Sequence, residues 1–198
     1  MFCKTMHQAT PEINSQSLGD RDRFRTFEQL EQGLAALRTA KDKGIVTMIV
    51  ARTDGGRREI LQHVRLEPDA GIPGDAWGRR AGRKPDTSIT VMQSDVAELI
   101  ANGQPIELSG DNLYLALDLS NANLPTGSRV RAGSATLEVT PYPHNGCKKF
   151  LARFGEEAVR FTSNPELRPR NLRGIYMRVV EAGEVRPGDS VEVIARAK

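Results

Sequence analysis

The sequence lacks the features of a membrane-spanning or disulfide-stabilised protein. Its longest apolar run, at residues 45–51, is far shorter than the ~18 residues that a bilayer span requires, and the polar residues 4–25 contain no secretory apolar segment. Two cysteines in 198 residues, Cys3 and Cys147, make a poor disulfide framework, and no Cys/His spacing matches a zinc site. We therefore expect a cytoplasmic protein in which Cys147 is a free thiol.

Several functional motifs are also absent. The chain has no Gly-x-x-x-x-Gly-Lys-Ser/Thr loop, no Gly-x-Gly-x-x-Gly after a strand and no Gly-x-Ser-x-Gly elbow, so nothing supports nucleotide hydrolysis, dinucleotide binding or serine hydrolysis. The net charge is only +3, and the few aromatic residues are not interleaved with the basic loops. Nucleic-acid binding is therefore not expected.

Short β-rich segments dominate the chain after residue 44. They lie at residues 45–51, 59–67, 88–92, 112–117, 129–132, 135–141, 174–181 and 190–195. Turn signals separate them, notably residues 54–56 and 133–134, and helical patterns occur only at residues 94–103 and from Gly146 to Phe161. Seven or so short strands with few helices predict a mainly β fold, α+β by content, built as a β-barrel or closed sheet with helical decoration.

The N-terminal region has a different pattern. Residues 1–20 show no period and predict a loose arm. Between residues 22 and 43, apolar side chains recur at steps of three and four, which predicts an amphipathic helix that Gly44 ends. The stripe consists of Phe24, Phe27, Leu30, Leu34 and Leu37. We expect it to pack on the domain or on a second subunit as a homodimer contact, and divide the chain into residues 1–44 and a barrel at 45–198.

Cys147 is the strongest candidate for chemistry. The thiolate is the reactive and metal-binding form of cysteine, and a helix N-terminus and nearby cations favour it. Gly146 before the cysteine and Lys148, Lys149 and Arg153 after it would supply both. A lone cysteine is also commonly an inert small hydrophobic residue, so both interpretations stay open.

The remaining candidates are His144 and three groups of cations. His144 is either a proton shuttle for the cysteine or a hydrogen-bonded loop residue. The cations are Arg79, Arg80, Arg83 and Lys84 in one loop, Lys148 and Lys149 beside the cysteine, and Arg168, Arg170 and Arg173 before a strand. Folded together they would form a phosphate-binding rim, whereas folded apart they are solvated loops.

A series of short motifs occurs in a characteristic order. They are Gly71-Ile72-Pro73-Gly74-Asp75, Ser109-Gly110-Asp111-Asn112-Leu113, Gly127-Ser128-Arg129-Val130-Arg131-Ala132-Gly133, Leu137-Glu138-Val139-Thr140, Cys147-Lys148-Lys149, Arg173-Gly174-Ile175-Tyr176-Met177-Arg178-Val179 and Arg186-Pro187-Gly188-Asp189. This ordered set, spanning roughly residues 45–195, resembles the MOSC domain, the C-terminal domain of molybdenum-cofactor sulfurases. No single motif is specific, but their order is.

The resemblance implies a barrel-like fold that presents one cysteine to a molybdenum-pterin cofactor (molybdopterin). It carries over to Cys147, as persulfide site or molybdenum thiolate ligand, and more weakly to Asp75, Asn112 and Arg178 as cofactor-binding residues. Both roles of the cysteine need a deprotonated sulfur. Lys148, Lys149 and Arg178 would favour its anion, and Arg79 and Arg83 would help to hold the pterin phosphate.

Two positions depart from the family pattern, and one family cofactor is not expected. Trp77 stands where the family usually has His, and Asp111 where it usually has Glu. The large sulfurases of this group also contain a pyridoxal-phosphate-dependent desulfurase. The barrel leaves no room for that domain in 198 residues, so we do not expect this chain to bind pyridoxal phosphate, and a separate cysteine desulfurase would load a persulfide.

Three hypotheses follow. The first is a cofactor-binding or sulfur-carrier protein, a possible sulfurtransferase, that uses Cys147. The second is a small molybdenum-dependent reductase of N-hydroxylated compounds that takes electrons from a separate electron-transfer protein. The third is a non-catalytic module that docks a partner through the helix at residues 22–43.

Overall fold

The computed structural model describes Ile13 and residues 17–197 of the chain. In this part the strands are β1 (Lys43–Arg52), β2 (Arg58–Ile60), β3 (Val64–Leu66), β4 (Ile89–Gln93), β5 (Leu113–Leu115), β6 (Arg129–Ala132), β7 (Ala135–Val139), β8 (Ile175–Glu181), β9 (Gly183–Val185) and β10 (Ser190–Ala195). The helices are α1 (Phe27–Ala36), α2 (Ser94–Ala101) and α3 (Lys148–Ser163). None of these helices has the length and apolar character needed to cross a membrane. The arm predicted at residues 1–20 falls largely outside the described residues, as does Cys3.

Seven strands close into a barrel, which confirms the predicted fold class. Their order is β1-β10-β6-β7-β8-β4-β5, and β5 pairs with β1 again to complete the circuit. β1 can serve both neighbours because its first residues pair with β10 and its later residues with β5. Within the barrel β4 and β5 run parallel and the other pairs antiparallel. The end of β1 continues past the barrel and pairs with β2 in a hairpin, across the turn signal at residues 54–56.

The helices cover one side of the barrel and create a second hydrophobic core there. β4 and β5 are buried along their whole lengths, because one face points into the barrel and the other lies under the helices. The second core contains Leu30 and Leu34 of α1, Ile100 of α2 and the phenylalanines Phe150, Phe154 and Phe161 of α3. This layer of helices holds α3 against the barrel wall and thereby positions Cys147, the residue before α3.

The N-terminal helix is shorter than predicted. A capping box between Thr26 and Gln29 starts α1, and the chain is already extended at Leu37. Its buried residues Leu30 and Leu34 pack within this chain, so the apolar stripe covers its own domain.

The sequence predicts that Gly44 ends a helix, but this residue lies inside β1. A Cβ atom at this position would overlap the carbonyl oxygen of Ala116. The glycine therefore permits close approach of two backbone segments.

Candidate functional site

Cys147 lies at the junction between a loop and α3. It is the residue immediately before the helix, with extended backbone angles of φ −116° and ψ 173°, and its carbonyl accepts a hydrogen bond from the Leu151 N–H. The thiol is free and exposed. It lines a cavity of about 400 Å³, which lies within the range of roughly 300–1,000 Å³ typical of small-molecule sites.

The cavity has a strongly positive lining. No Asp or Glu among the described residues lines it. Six cationic side chains do: Arg52, Arg58, Arg80, Lys149, Arg153 and Arg173. They come from β1, β2, the loop before β4, α3 and the segment before β8. The closed barrel thus gathers cations that are distant in sequence, and such a surface favours an anionic ligand.

The cations at the centre of the cavity repel one another. Burial, together with the charges of Arg153 and Arg52, lowers the pKa of Arg58. Its Nε atom is buried with no hydrogen-bond partner among the described residues. An anion bound in the cavity would relieve this repulsion.

Asp75 and Asn112 hold Arg52 from behind the cavity wall. The Asp75 carboxylate accepts hydrogen bonds from Arg52 Nε at 3.0 Å and Nη2 at 2.8 Å, and Asn112 Oδ1 accepts one from the same Nη2 at 3.0 Å. Asn112 Nδ2 also donates to Asp75 at 2.9 Å. Burial alone would raise the pKa of Asp75, but the hydrogen bonds and charge of Arg52 outweigh it, and the net pKa is lowered. The ion pair therefore keeps its charge near neutral pH.

This arrangement changes the role expected of the two motif residues. The sequence predicts Asp75 and Asn112 as contacts to a cofactor, but the structure places both side chains out of the cavity lining. They are nearly inaccessible, at 1% and 0% exposure. Asp75 and Asn112 instead orient the guanidinium of Arg52, which lines the cavity.

A second buried carboxylate, Asp111, orients Arg173 in the same way. Arg173 Nη1 donates to Asp111 Oδ2 at 2.8 Å and Nη2 donates to the Ser109 carbonyl at 3.1 Å. The Ser109 hydroxyl also donates to Asp111, at 2.7 Å. The guanidinium of Arg173 stacks on the ring of Phe150 at 4.8 Å. Asp111, which stands where the family usually has Glu, thus has two hydrogen-bond donors on its Oδ2 atom, Arg173 and Ser109.

His144 completes the wall between Asp111 and the cavity. Its Nδ1 lies 3.6 Å from Asp111 Oδ1, and its ring packs on Tyr176 at 4.7 Å between centroids. Burial, followed by the charge of Arg173, lowers the pKa of His144 to about 3, although Asp111 acts in the opposite direction. The imidazole is therefore neutral at physiological pH.

Each of the three predicted cation groups contributes to the cavity. Arg80, Lys149 and Arg173 line it, and Arg153 joins them one helical turn beyond Lys149. Part of each predicted group of cations therefore lies together in this cavity. Arg52 carried no motif that pointed to it.

Seven other cations predicted for the site do not line the cavity: Arg79, Arg83, Lys84, Lys148, Arg168, Arg170 and Arg178. Arg79 donates to the Gly74 and Arg52 carbonyls, while Arg83 stacks over Trp77 at 5.4 Å. Arg178 lies on the outer face of β8, where it pairs with Glu138 at 2.5 Å and Asp86 at 3.1 Å. Lys148 is exposed at the start of α3.

A second cavity of about 330 Å³ lies on the other side of the loop before Cys147. The two cavities share four lining residues, Pro143, His144, Asn145 and Arg173. Uncharged polar residues predominate in the second, including Asn121, Thr162 and Asn171. The loop thus separates a cavity lined by six cations from one lined by two, Arg168 and Arg173.

Comparisons with known proteins agree with this architecture. The family model described as MOSC domain matches residues 79–192, more than half of the chain. The fold is similar to the YuaD protein from Bacillus subtilis (TM-score 0.54, 17% identity, 78% of this chain and 97% of that one) and to YiiM from Escherichia coli (0.52, 20%, 77% and 71%). A hypothetical protein of known crystal structure is also similar (0.56, 20%, 80% and 70%). No curated protein matches the chain significantly.

Proposed function

The chain belongs to the MOSC domain family, and we propose that it binds a molybdenum-pterin cofactor in the cationic cavity, with Cys147 as the sulfur site. The observation that carries this proposal is the joint placement of an exposed thiol and six cations around one cavity free of carboxylates in the described part of the chain. The family membership supports the choice of cofactor.

The residues present fit such a group. A pterin cofactor carries a phosphate and a dithiolate, both anionic, and guanidinium groups match phosphate oxygens in charge and geometry. Arg58 keeps a buried Nε donor unpaired, and Arg52 and Arg173 are held in place by buried carboxylates. Arg52, Arg58 and Arg173 would bind the anionic groups, and Cys147 would face the reactive end.

Cys147 supports two related uses. As a carrier, its thiolate attacks the outer sulfur of a persulfide on a separate cysteine desulfurase; an S–S bond forms at Cys147, and the donor cysteine leaves as a thiolate. As a ligand, the same thiolate binds molybdenum. A bound molybdenum-pterin group supplies two-electron redox chemistry. Both uses need a deprotonated sulfur.

One observation favours a small molybdenum-dependent reductase of N-hydroxylated compounds as a second candidate. The second cavity beyond His144, lined mainly by uncharged polar residues, has room for a small substrate beside the cationic cavity. A separate electron-transfer protein would supply electrons.

The docking-module hypothesis is not retained, because the apolar residues of α1 on which it depended are buried in the chain's own second core.

Elemental mass spectrometry of the protein purified from a host that makes the cofactor tests the proposal. We expect molybdenum with the native chain, loss of most of it in Arg58→Ala, and retention in the matched control Arg178→Ala, whose guanidinium lies outside the cavity. Stoichiometric metal that disappears in Cys147→Ser would favour the reductase. Metal or free pterin retained equally in Arg58→Ala would refute binding in this cavity.

For the sulfur-carrier use, the assay is mass spectrometry of the protein after incubation with a cysteine desulfurase and cysteine, followed by a persulfide-trapping alkylator. The adduct should lie on Cys147 and persist in Cys3→Ser. An adduct that survives Cys147→Ser would rule out the assigned sulfur site.

A further inference from the structure

Resting on the proposed anion site, we infer that His144 Nε2 is a hydrogen-bond acceptor for the ligand, so that the cavity selects an anion that also carries an O–H or N–H donor. Whether Nε2 can accept a hydrogen bond depends on which ring nitrogen of His144 carries the proton.

The surroundings of His144 assign that proton to Nδ1. Nδ1 and Asp111 Oδ1 face each other at 3.6 Å, and both atoms are buried with no other partner among the described residues. An ionised carboxylate can only accept a hydrogen bond. Arg173 and Ser109 keep Asp111 ionised by binding its other oxygen. A lone pair on Nδ1 would be repelled by Oδ1, whereas an N–H is attracted.

The opposite ring nitrogen then bears the lone pair. Nε2 makes no hydrogen bond to the described residues and, unlike Nδ1, is not sealed from solvent. His144 lines the cationic cavity, and burial keeps its ring neutral. The lone pair would then face a ligand in the cationic cavity, one of the two cavities that His144 lines.

This acceptor stands among groups that only donate. Arginine and lysine side chains have no acceptor atoms, so the cations bind any oxyanion irrespective of whether it carries a hydrogen. Nε2 discriminates: an O–H or N–H donates to it, but a fully deprotonated oxygen placed there suffers lone-pair repulsion. The selectivity of the cavity thus depends on one ring nitrogen that Asp111 orients.

Phosphate and sulfate are suitable probes. In slightly alkaline buffer both are tetrahedral dianions, but hydrogen phosphate carries one O–H and sulfate carries none. Isothermal titration of the native chain should show about tenfold tighter binding of phosphate, the equivalent of one hydrogen bond to a buried group. His144→Phe keeps a ring against Tyr176 without the acceptor and should lose this preference while still binding sulfate. His144→Gln, with an amide oxygen near the Nε2 position, should retain part of it.

Different results would overturn the acceptor role of His144 and the anion site. Equal affinity of the native chain for the two anions, or a full preference in His144→Phe, would overturn the acceptor role and leave the anion site standing. Binding of neither anion would overturn the anion site itself. Nitrogen NMR of the native imidazole gives an independent answer that needs no variant to fold: a proton on Nε2 instead of Nδ1 would overturn the assignment.

Discussion

Replacement of Asp75 by asparagine removes one charge from behind the cavity with almost no change in shape. The carboxylate accepts five hydrogen bonds, three of them from Arg52, at 2.9, 3.0 and 2.8 Å. The others come from the Trp77 backbone at 2.7 Å and the Asn112 amide at 2.9 Å. Since the amide nitrogen of asparagine cannot accept, either orientation of the new side chain leaves at least two donors facing an N–H group.

The expected cost is about 3 kcal/mol in the free energy of unfolding. Loss of one partner from a buried ion pair costs about 3–5 kcal/mol, because the other charge is left uncompensated. The side chain of Asp75 is 1% exposed and that of Arg52 14% exposed, so Arg52 can recover some hydration. This places the expected value near the lower end of the range. Anion affinity should fall as well, because Arg52 loses its orientation.

Urea unfolding followed by tryptophan fluorescence measures this change directly. Trp77 is the single tryptophan, is 3% exposed, and donates its backbone N–H to Asp75, so it reports on the local structure. Asp69→Asn, at an exposed carboxylate, is the matched control and should alter stability by no more than about 0.5 kcal/mol. An Asp75→Asn midpoint equal to that of the control would refute the argument that this ion pair supports the fold.

Two further predictions concern a titrating group and a strained glycine. The pKa of His144 is about 3 in the folded protein but near 6.5 in the unfolded chain, so protons bind preferentially to the unfolded chain. The free energy of unfolding should therefore decrease as the pH is lowered, by about 2 kcal/mol between about pH 7 and about pH 5. Unfolding across this range should show a shallower slope in His144→Gln, and an unchanged slope would contradict the assigned burial. Gly155 has φ +83° inside α3, and an added Cβ would lie 2.7 Å from Phe24 Cδ2. Thermal unfolding should therefore show Gly155→Ala to be less stable than Gly188→Ala, which has φ +91° but open space around it; equal losses would mean that the contact with Phe24 is unimportant.

Strand positions were largely predictable from the chain. The segments at 129–132 and 190–195 match β6 and β10, because side-chain alternation and bounding turns are local properties. The helix predicted at 22–43 was too long, since apolar spacing continues to Leu37 although the backbone has already become extended. The short β9 was missed: the predicted segment at 174–181 ended where β8 ends, and only Ala182 separates β8 from β9.

The candidate site was predictable only in part. Cys147 stood out because a cysteine next to two lysines at the start of a helix is chemically distinctive. Arg52 and Arg58 were not identified, since arginines in a hairpin usually face solvent, and nothing local shows that β1 and β2 border the cavity. The motif containing Asp75 was found, but its position behind Arg52 depends on contacts between distant segments.

Local features of the sequence were enough to predict the barrel class, the N-terminal helix and the thiol that merits study. These follow from periodicity, turn chemistry and residue type, which act over a few residues. The tertiary structure was needed to show which cations share a cavity, which motif residues lie behind its wall and that His144 Nδ1 faces Asp111. Electrostatic and hydrogen-bond partners are set by distance in space, and the order in which the strands close the barrel brings residues 52, 111, 147 and 173 together.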